Sequence, residues 1–132
     1  FVFLDEAGAG TDMVRRYGWA PRGERLIGAA PHGHWRTTTF VAGLHAGGIV
    51  APLALDGPMT GRAFRAYVER MLAPSLSPGD VVVMDNLAAH KAAGAREAVE
   101  AAGATLLYLP PCSPDLNPIE QFFAKLKALL RK

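Results

Sequence analysis

The sequence predicts an α/β domain built on a mixed sheet of five strands. Two short, fully apolar runs, residues 1–4 and 81–84, are typical of strands buried on both faces in the middle of a parallel or mixed sheet. A glycine-containing turn, Ala46 to Gly48, joins two further apolar and β-branched segments and predicts an antiparallel hairpin. Apolar residues at helical spacing then alternate with the later strands. These three patterns define the fold class.

Along the chain the predicted order is strand, basic insertion, strand, strand, helix, strand, helix, strand, helix. The first strand is expected to stop at Asp5 and Glu6, which a turn follows. Thr60 is a suitable cap for the first helix, and Pro74 is expected to end it. The predicted strands are residues 1–4, 37–44, 49–55, 81–84 and 105–109, and the predicted later helices are residues 88–102 and the segment after Asn117.

Composition excludes several classes of protein. The chain has 132 residues, half of them hydrophobic and a fifth charged, which is typical of a folded globular chain rather than a disordered one. The net charge of +2 is too small to establish a nucleic-acid partner by itself. The single cysteine, Cys112, cannot form an internal disulfide and fits a reducing compartment.

The chain shows no sign of membrane insertion or of more than one domain. The charge-free stretch of residues 37–55 is interrupted by His45, two glycines and Pro52, so we do not expect it to span a membrane. No signal peptide, internal repeat or linker is visible, and residues 1–132 are predicted to be one domain. Because Phe1 lies within an apolar strand and is not an initiator Met, we expect further residues upstream.

Two carboxylates follow predicted buried strands. Asp5 and Asp85 each come directly after a four-residue apolar run, and working groups of open α/β sheets collect at the carboxyl ends of the strands. If the two strands are parallel neighbours, about 4.8 Å apart, these side chains lie together. Like charges at that distance raise a pKa or require a cation. For either residue alone, a turn or a helix cap is the simpler interpretation.

A proline-rich segment, residues 108–120, leads to a third carboxylate. Its four prolines exclude a helix interior or a central strand, and each restricts the preceding residue to an extended conformation. Asn117 lies where an N-cap belongs, Pro118 at the first helical position and Glu120 at the third. The segment therefore fixes the point at which Glu120 enters a helix. A capping box, in which Glu120 returns to the Asn117 N–H, is the structural alternative.

Three carboxylates from separate elements, without a Cys or His pair at zinc spacing, favour Mg²⁺ or Mn²⁺ over zinc. A carboxylate-held pair of such ions suits phosphodiester displacement. Glu6, the neighbour of Asp5, is expected to point to the opposite side of the strand.

The residues around these carboxylates resemble a known family. Phe3-Leu4-Asp5-Glu6, Met84-Asp85-Asn86 and the segment LPPCSPDLNPIE that ends at Glu120 are similar to the three catalytic motifs of mariner-like DDE transposases, above all those of bacterial insertion sequences. The segment WAPRG, from Trp19 to Gly23, is similar to the region after the first Asp in that group. The 34 residues between Asp85 and Glu120 are also typical of it.

The resemblance implies an RNase H-like fold in which Asp5, Asp85 and Glu120 are the catalytic residues and the ligands of two Mg²⁺ (or Mn²⁺) ions. It implies cleavage of DNA at transposon ends by metal-activated water, followed by attack of the 3′-hydroxyl on target DNA. Such enzymes also carry a helix-turn-helix region that reads the terminal repeats. Nothing in this chain matches that region, so it is expected on a missing or separate segment. The resemblance also implies a homodimer, and it implies action in the bacterial cytoplasm.

Several basic, aromatic and polar residues are candidates for DNA contact. The insertion combines arginines with Trp and Tyr residues, which suits phosphate binding and base stacking, although arginines that merely solvate a long hairpin would give the same pattern. For Asn86 the alternative is an Asx turn. For His90 it is a contact with the carboxylate site or a solvated helix start, and for the two lysines it is a favourable position near a helix C-terminus. The candidates are Arg15, Arg16, Trp19, Arg22, Arg25, Asn86, His90, Lys125 and Lys127.

Two other functions fit the same sequence. An RNase H-like nuclease that only hydrolyses DNA or RNA would need the same three carboxylates. An inactive, transposon-derived fragment retained for DNA binding would not need them, so the intact set favours an enzyme.

Overall fold

The computed structural model describes residues 1–10, 17–29 and 36–131, and these form a mixed five-stranded sheet, as predicted. The spatial order is β3-β2-β1-β4-β5. β1 pairs with β2, and β2 with β3, in antiparallel orientation, whereas the β1–β4 and β4–β5 pairs are parallel. The strands are β1 (Val2–Gly10), β2 (Thr37–His45), β3 (Gly48–Asp56), β4 (Val81–Met84) and β5 (Thr105–Tyr108).

Helices follow the hairpin and the two parallel strands. They are α1 (Gly61–Tyr67), which continues through a π-helical turn (Val68–Leu72) into α2 (Ala73–Ser75), α3 (Ala95–Ala101) and α4 (Ile119–Leu130). Short 3₁₀ turns lie at Ala88–Lys91 and Pro114–Leu116. None of the helices in the described part of the chain is long and apolar enough to cross a membrane.

The first helix begins as predicted, since the Thr60 hydroxyl accepts a hydrogen bond from the Ala63 N–H at 3.1 Å. The sequence predicted that Pro74 ends this helical segment, and the segment ends one residue later, at Ser75. The prediction of a single helix over residues 88–102 is wrong. It divides into the 3₁₀ turn and α3, because Gly94 takes a φ of 90°, a left-handed conformation that favours glycine.

The two faces of the sheet are covered by different helices. On one face, Leu4 and Val82 pack in a core with Phe64, Val68 and other residues of α1, the π turn and α3. On the other face, Ala7 and Ala42 pack against Ile119 and Phe123 of α4. Because side chains alternate along a strand, even-numbered residues of β1 face the first core and odd-numbered residues face α4.

β1 is longer than the sequence predicted. It was expected to stop at Asp5, but residues 6–10 continue it by pairing with β2, from Glu6 opposite Val41 to Gly10 opposite Thr37. Its pairing with β4, by contrast, ends at Leu4 opposite Met84. Asp5 therefore lies within a strand, at the point where one neighbour has ended and the other continues. Long-range pairing overrides the local turn signal of the glycines here.

The hairpin contains a bulge opposite Ala42. Val41 pairs with Leu53 and Gly43 with Val50, so two residues of β3, Ala51 and Pro52, lie opposite one residue of β2. Ala51 has a φ of 48°, and its carbonyl accepts a hydrogen bond from the Tyr67 hydroxyl at 2.7 Å. The bulge accommodates Pro52, which has no N–H to donate to a ladder.

Candidate active site

Adjacent parallel strands place the first two carboxylates. Asp5 and Asp85 directly follow Leu4 and Met84, which lie opposite each other in β1 and β4. Only 4% of Asp5 is exposed. Its Oδ1 atom accepts a hydrogen bond from the Glu6 N–H at 2.8 Å, and its Oδ2 atom accepts one from Asn117 Nδ2 at 3.2 Å. The side chain of Asp5 is therefore held from two directions.

Asn117 does not cap α4, contrary to the sequence prediction. The helix begins after Pro118 without a side-chain cap, and the Glu120 N–H donates instead to the Asn117 carbonyl at 3.1 Å. The Asn117 side chain is buried and turned toward Asp5. Its Oδ1 atom has no hydrogen-bond partner among the residues that the structure describes. The capping box offered as the alternative role of Glu120 is therefore absent.

Glu120 lies in the first turn of α4 and reaches the carboxyl of Asp5 through a side-chain hydrogen bond. Burial raises the pKa of Asp5 to about 7. The hydrogen bond that the protonated Asp5 carboxyl donates to Glu120 and the negative charges of Asp85 and Glu120 also raise this pKa, whereas the hydrogen bond from the Glu6 N–H lowers it. Three acidic side chains from distant parts of the sequence thus crowd into one site.

His90 is buried beside this site rather than solvated, and its complete burial contradicts the predicted direct contact with DNA. Nδ1 lies against Asp85 Oδ1, and Nε2 lies 3.3 Å from Glu6 Oε2. Burial opposes the charged ring, but the hydrogen bond to Glu6 and the charges of Asp85, Glu6 and Asp5 outweigh it and raise the pKa of His90. The sequence allowed a contact between His90 and the site, because Asp85 lies only five residues before it, but gave no sign of Glu6, which is 84 residues away.

Glu6 points away from Asp5, in agreement with the sequence prediction. It follows Val2 and Leu4 on the face of β1 that packs against α1, and there it contacts His90. The alternation along β1 was the signal that could have indicated a buried polar partner for Glu6 on that face.

The gathered groups have the donors that a divalent cation needs. Oxygens of Asp5 and Asp85 and a ring nitrogen of His90 lie within 4.8 Å of one another. Beside them opens a cleft of about 430 Å³. It is lined by Asp85, Asn86, Asn117, Glu120 and residues 109–114 of the proline-rich segment. Cys112 in this segment has a φ of 56°, a left-handed conformation uncommon for residues other than glycine.

A family model described as DDE superfamily endonuclease matches residues 1–132. The chain belongs to this family. No curated protein matches this chain.

Solved structures confirm the RNase H-like fold. The match to the Mos1 strand transfer complex has a TM-score of 0.75 and 21% identity, and it covers 98% of this chain and 40% of that chain. The mariner Mos1 paired end complex with Mg has a TM-score of 0.74 and 20% identity, covering 98% and 41%. The catalytic domain of Mos1 mariner transposase has a TM-score of 0.64 and 16% identity, covering 99% and 60%. The chain therefore spans about two fifths of the length of the proteins in these complexes.

The residues predicted to contact DNA lie in different parts of the described structure. Asn86 is exposed and lines the cleft. Trp19 is 99% exposed, and Arg22 and Arg25 are also exposed. Lys125 is exposed and Lys127 half-buried on α4. Arg15 and Arg16 lie outside the described residues, and of the described candidates only Asn86 lines the cleft.

Proposed function

We propose that residues 1–132 are the catalytic domain of a transposase that cuts DNA at transposon ends and joins the 3′-hydroxyl to target DNA. The observation that carries this proposal is the meeting of Asp5 and Asp85, on neighbouring parallel strands, with Glu120, which hydrogen bonds to Asp5 from another element. Family membership supports endonuclease chemistry at these residues. The similarity in fold to a Mos1 strand transfer complex supports the joining step.

The site suits Mg²⁺ or Mn²⁺. Asp5, Asp85 and Glu120 offer hard oxygen donors. Burial, together with the charges of Asp85 and Glu120, raises the pKa of Asp5, and a bound cation would favour its ionised form. We assign all three as ligands of two cations. When bound, such ions supply a water of lowered pKa and stabilise charge on the attacking and leaving oxygens.

The chain itself contributes position and shape. The pairing of β1 with β4 holds Asp5 within β1 beside Asp85, which directly follows the last paired residue of β4. The proline-rich wall of the cleft is stiff, so it presents a preformed surface to a DNA backbone. Exposed Asn86 at the cleft, together with the basic and aromatic residues of the insertion and α4, would contact phosphates and bases. These contacts include Arg15, Arg16, Trp19, Arg22, Arg25, Lys125 and Lys127.

We further propose that end recognition requires a helix-turn-helix region outside residues 1–132 and that two copies act together. The similarity in fold to a mariner Mos1 paired end complex supports this arrangement. The likeness to bacterial insertion-sequence enzymes and the single cysteine support action on chromosomal or plasmid DNA in the bacterial cytoplasm.

The test is a strand-transfer assay on the purified chain. A labelled duplex with a pre-cut 3′-hydroxyl end is incubated with a supercoiled target plasmid and Mg²⁺, and covalent joining is followed on a denaturing gel. We expect joined product that Glu120→Gln abolishes. The matched control, Asp115→Asn, removes an exposed carboxylate from the same proline-rich segment and should leave joining unchanged. Nicking without joining would instead indicate the nuclease that only hydrolyses, and absence of both reactions would contradict the proposal.

A further inference from the structure

The imidazole of His90 connects two carboxylates that lie on different sides of the active site. Asp85 Oδ1 contacts Nδ1, and Glu6 Oε2 lies 3.3 Å from Nε2 on the far side of the ring. Glu6 and His90 are 84 residues apart in the sequence. The ring is fully buried, so each nitrogen meets a protein group rather than water. A buried imidazole between two acids is a specific arrangement that ordinary core packing does not require.

Packing and backbone hydrogen bonds fix the position of this ring. The Phe64 ring lies 4.7 Å from it, centroid to centroid. The Tyr108 hydroxyl donates to the His90 carbonyl at 3.1 Å, and the His90 N–H donates to the Leu87 carbonyl at 3.1 Å. The 3₁₀ turn that carries His90 is therefore attached to both α1 and β5. His90 is a rigid support rather than a side chain that can follow Asp85.

Asp85 needs such support more than Asp5 does. It lies one residue beyond the end of β4, at the cleft, and its side chain is one-third exposed. Oδ1 receives both the contact from His90 and a hydrogen bond from the Leu87 N–H at 3.3 Å. Contacts on one carboxylate oxygen set the rotation of the whole carboxylate and hence the direction of the other oxygen.

We propose that His90 and Glu6 are positioning residues of the cation site. Glu6 holds the ring of His90, and His90 holds Oδ1 of Asp85 so that the remaining oxygen faces the cation. This inference rests on the proposed function, because it assumes that Asp85 is a ligand. Partners behind a ligand of this kind change metal affinity by about 10- to 100-fold when they are removed.

Two substitutions separate positioning from packing. An asparagine amide nitrogen takes about the place of Nδ1, which faces Asp85, whereas a glutamine amide nitrogen reaches about the place of Nε2, which faces Glu6. Both remove the ring, so His90→Asn and His90→Gln should lower the melting temperature in EDTA to a similar extent. We expect His90→Gln to weaken Mn²⁺ binding about 10- to 100-fold and His90→Asn to weaken it much less.

The measurement is a calorimetric titration of the chain with Mn²⁺ alone, together with thermal melts in EDTA. Equal Mn²⁺ affinity of the parent, His90→Asn and His90→Gln, or equal losses in the two variants, would overturn the positioning role. If neither variant folds, Glu6→Ala decides, since Glu6 is partly exposed and its removal leaves the ring in place. A parental affinity in Glu6→Ala would then overturn the inference, and a reduced one would support it.

Glu120→Gln distinguishes this failure from failure of the proposed function. If the parent binds Mn²⁺ and Glu120→Gln weakens binding while the His90 and Glu6 variants do not, the cation site stands and only the positioning role falls. If the parent binds no Mn²⁺, the proposed function itself falls.

Discussion

Asp5 and Glu120 meet through one hydrogen bond, but they reach it from contrasting parts of the molecule. Asp5 is 4% exposed and lies within β1, whose backbone pairs with β2 on both sides of it. Glu120 is exposed and lies in the first turn of α4, after a segment without regular pairing. The free-energy cost of gathering negative charge is therefore concentrated at Asp5, where solvent cannot screen it. Glu120 adds charge to the site while remaining solvated itself.

The largest expected effect is on catalysis by Glu120→Gln. A neutral amide oxygen is a much weaker ligand of Mg²⁺ than a carboxylate, so cleavage should fall by at least about 100-fold, equivalent to about 3 kcal/mol. Because Glu120 is exposed and caps nothing, the free energy of unfolding should change by less than about 0.5 kcal/mol. A nicking assay and urea unfolding measure the two quantities. Parental cleavage would show that Glu120 is not a ligand.

The pH dependence of stability should follow Asp5. Its pKa is raised from 3.8 to about 7, so the folded state holds this proton more tightly than the unfolded state. The metal-free protein should therefore lose stability as pH rises from about 4 to about 7, by an amount on the order of 3 kcal/mol. The raised pKa of His90 acts in the same direction, because its contribution is lost as pH rises through that value. Urea unfolding in EDTA across this range is the measurement, and rising stability would contradict it.

Asp5→Asn should distinguish the buried carboxylate of Asp5 from the solvated carboxylate of Glu120 most directly. It removes the buried charge, so at pH 8 in EDTA the free energy of unfolding should increase by on the order of 2 kcal/mol. Glu120→Gln should give little or none of this gain. Both variants should lack Mg²⁺-dependent cleavage. An equal gain in stability from both would show that the contrast between buried and solvated carboxylates is incorrect.

The smallest expected effect concerns the segment that carries Glu120. Pro111→Ala increases the freedom of the unfolded chain and should lower the free energy of unfolding by about 0.4–1 kcal/mol. Pro58→Ala, at another exposed proline, is the matched control and should cost about the same. Only Pro111→Ala should also weaken Mn²⁺ binding, because it loosens a wall of the cleft. Calorimetry of the two variants tests this difference, and identical Mn²⁺ affinities would contradict it.

Patterns that act over a few residues predicted most of the fold. Apolar runs located the strands, and the rule that parallel strands end at one edge of a sheet predicted that Asp5 and Asp85 lie together. The Thr60 cap and the hairpin turn were equally local, and both are confirmed.

The features that sequence analysis missed depend on partners far away in the chain. Asn117 has the local signature of a cap, but it donates to Asp5, 112 residues away. His90 has the signature of a solvated helix start, but its ring is buried and lies against Glu6, 84 residues away. The extension of β1 depends on pairing with β2, across the insertion. In each case a tertiary contact overrides a correct local preference. No periodic pattern in the sequence predicts such a contact.

The bulge in β3 has a consequence for association between molecules. β3 is an outer strand of the described sheet, and such a strand can recruit the strand of another chain through its unpaired N–H and carbonyl groups. Here Pro52 removes one donor, and the left-handed backbone of Ala51 twists the strand at the same place. β5, the opposite outer strand, has only four residues. Neither border of the described sheet therefore offers a long, regular template, so copies of this domain that meet one another are protected against fusing into a continuous sheet.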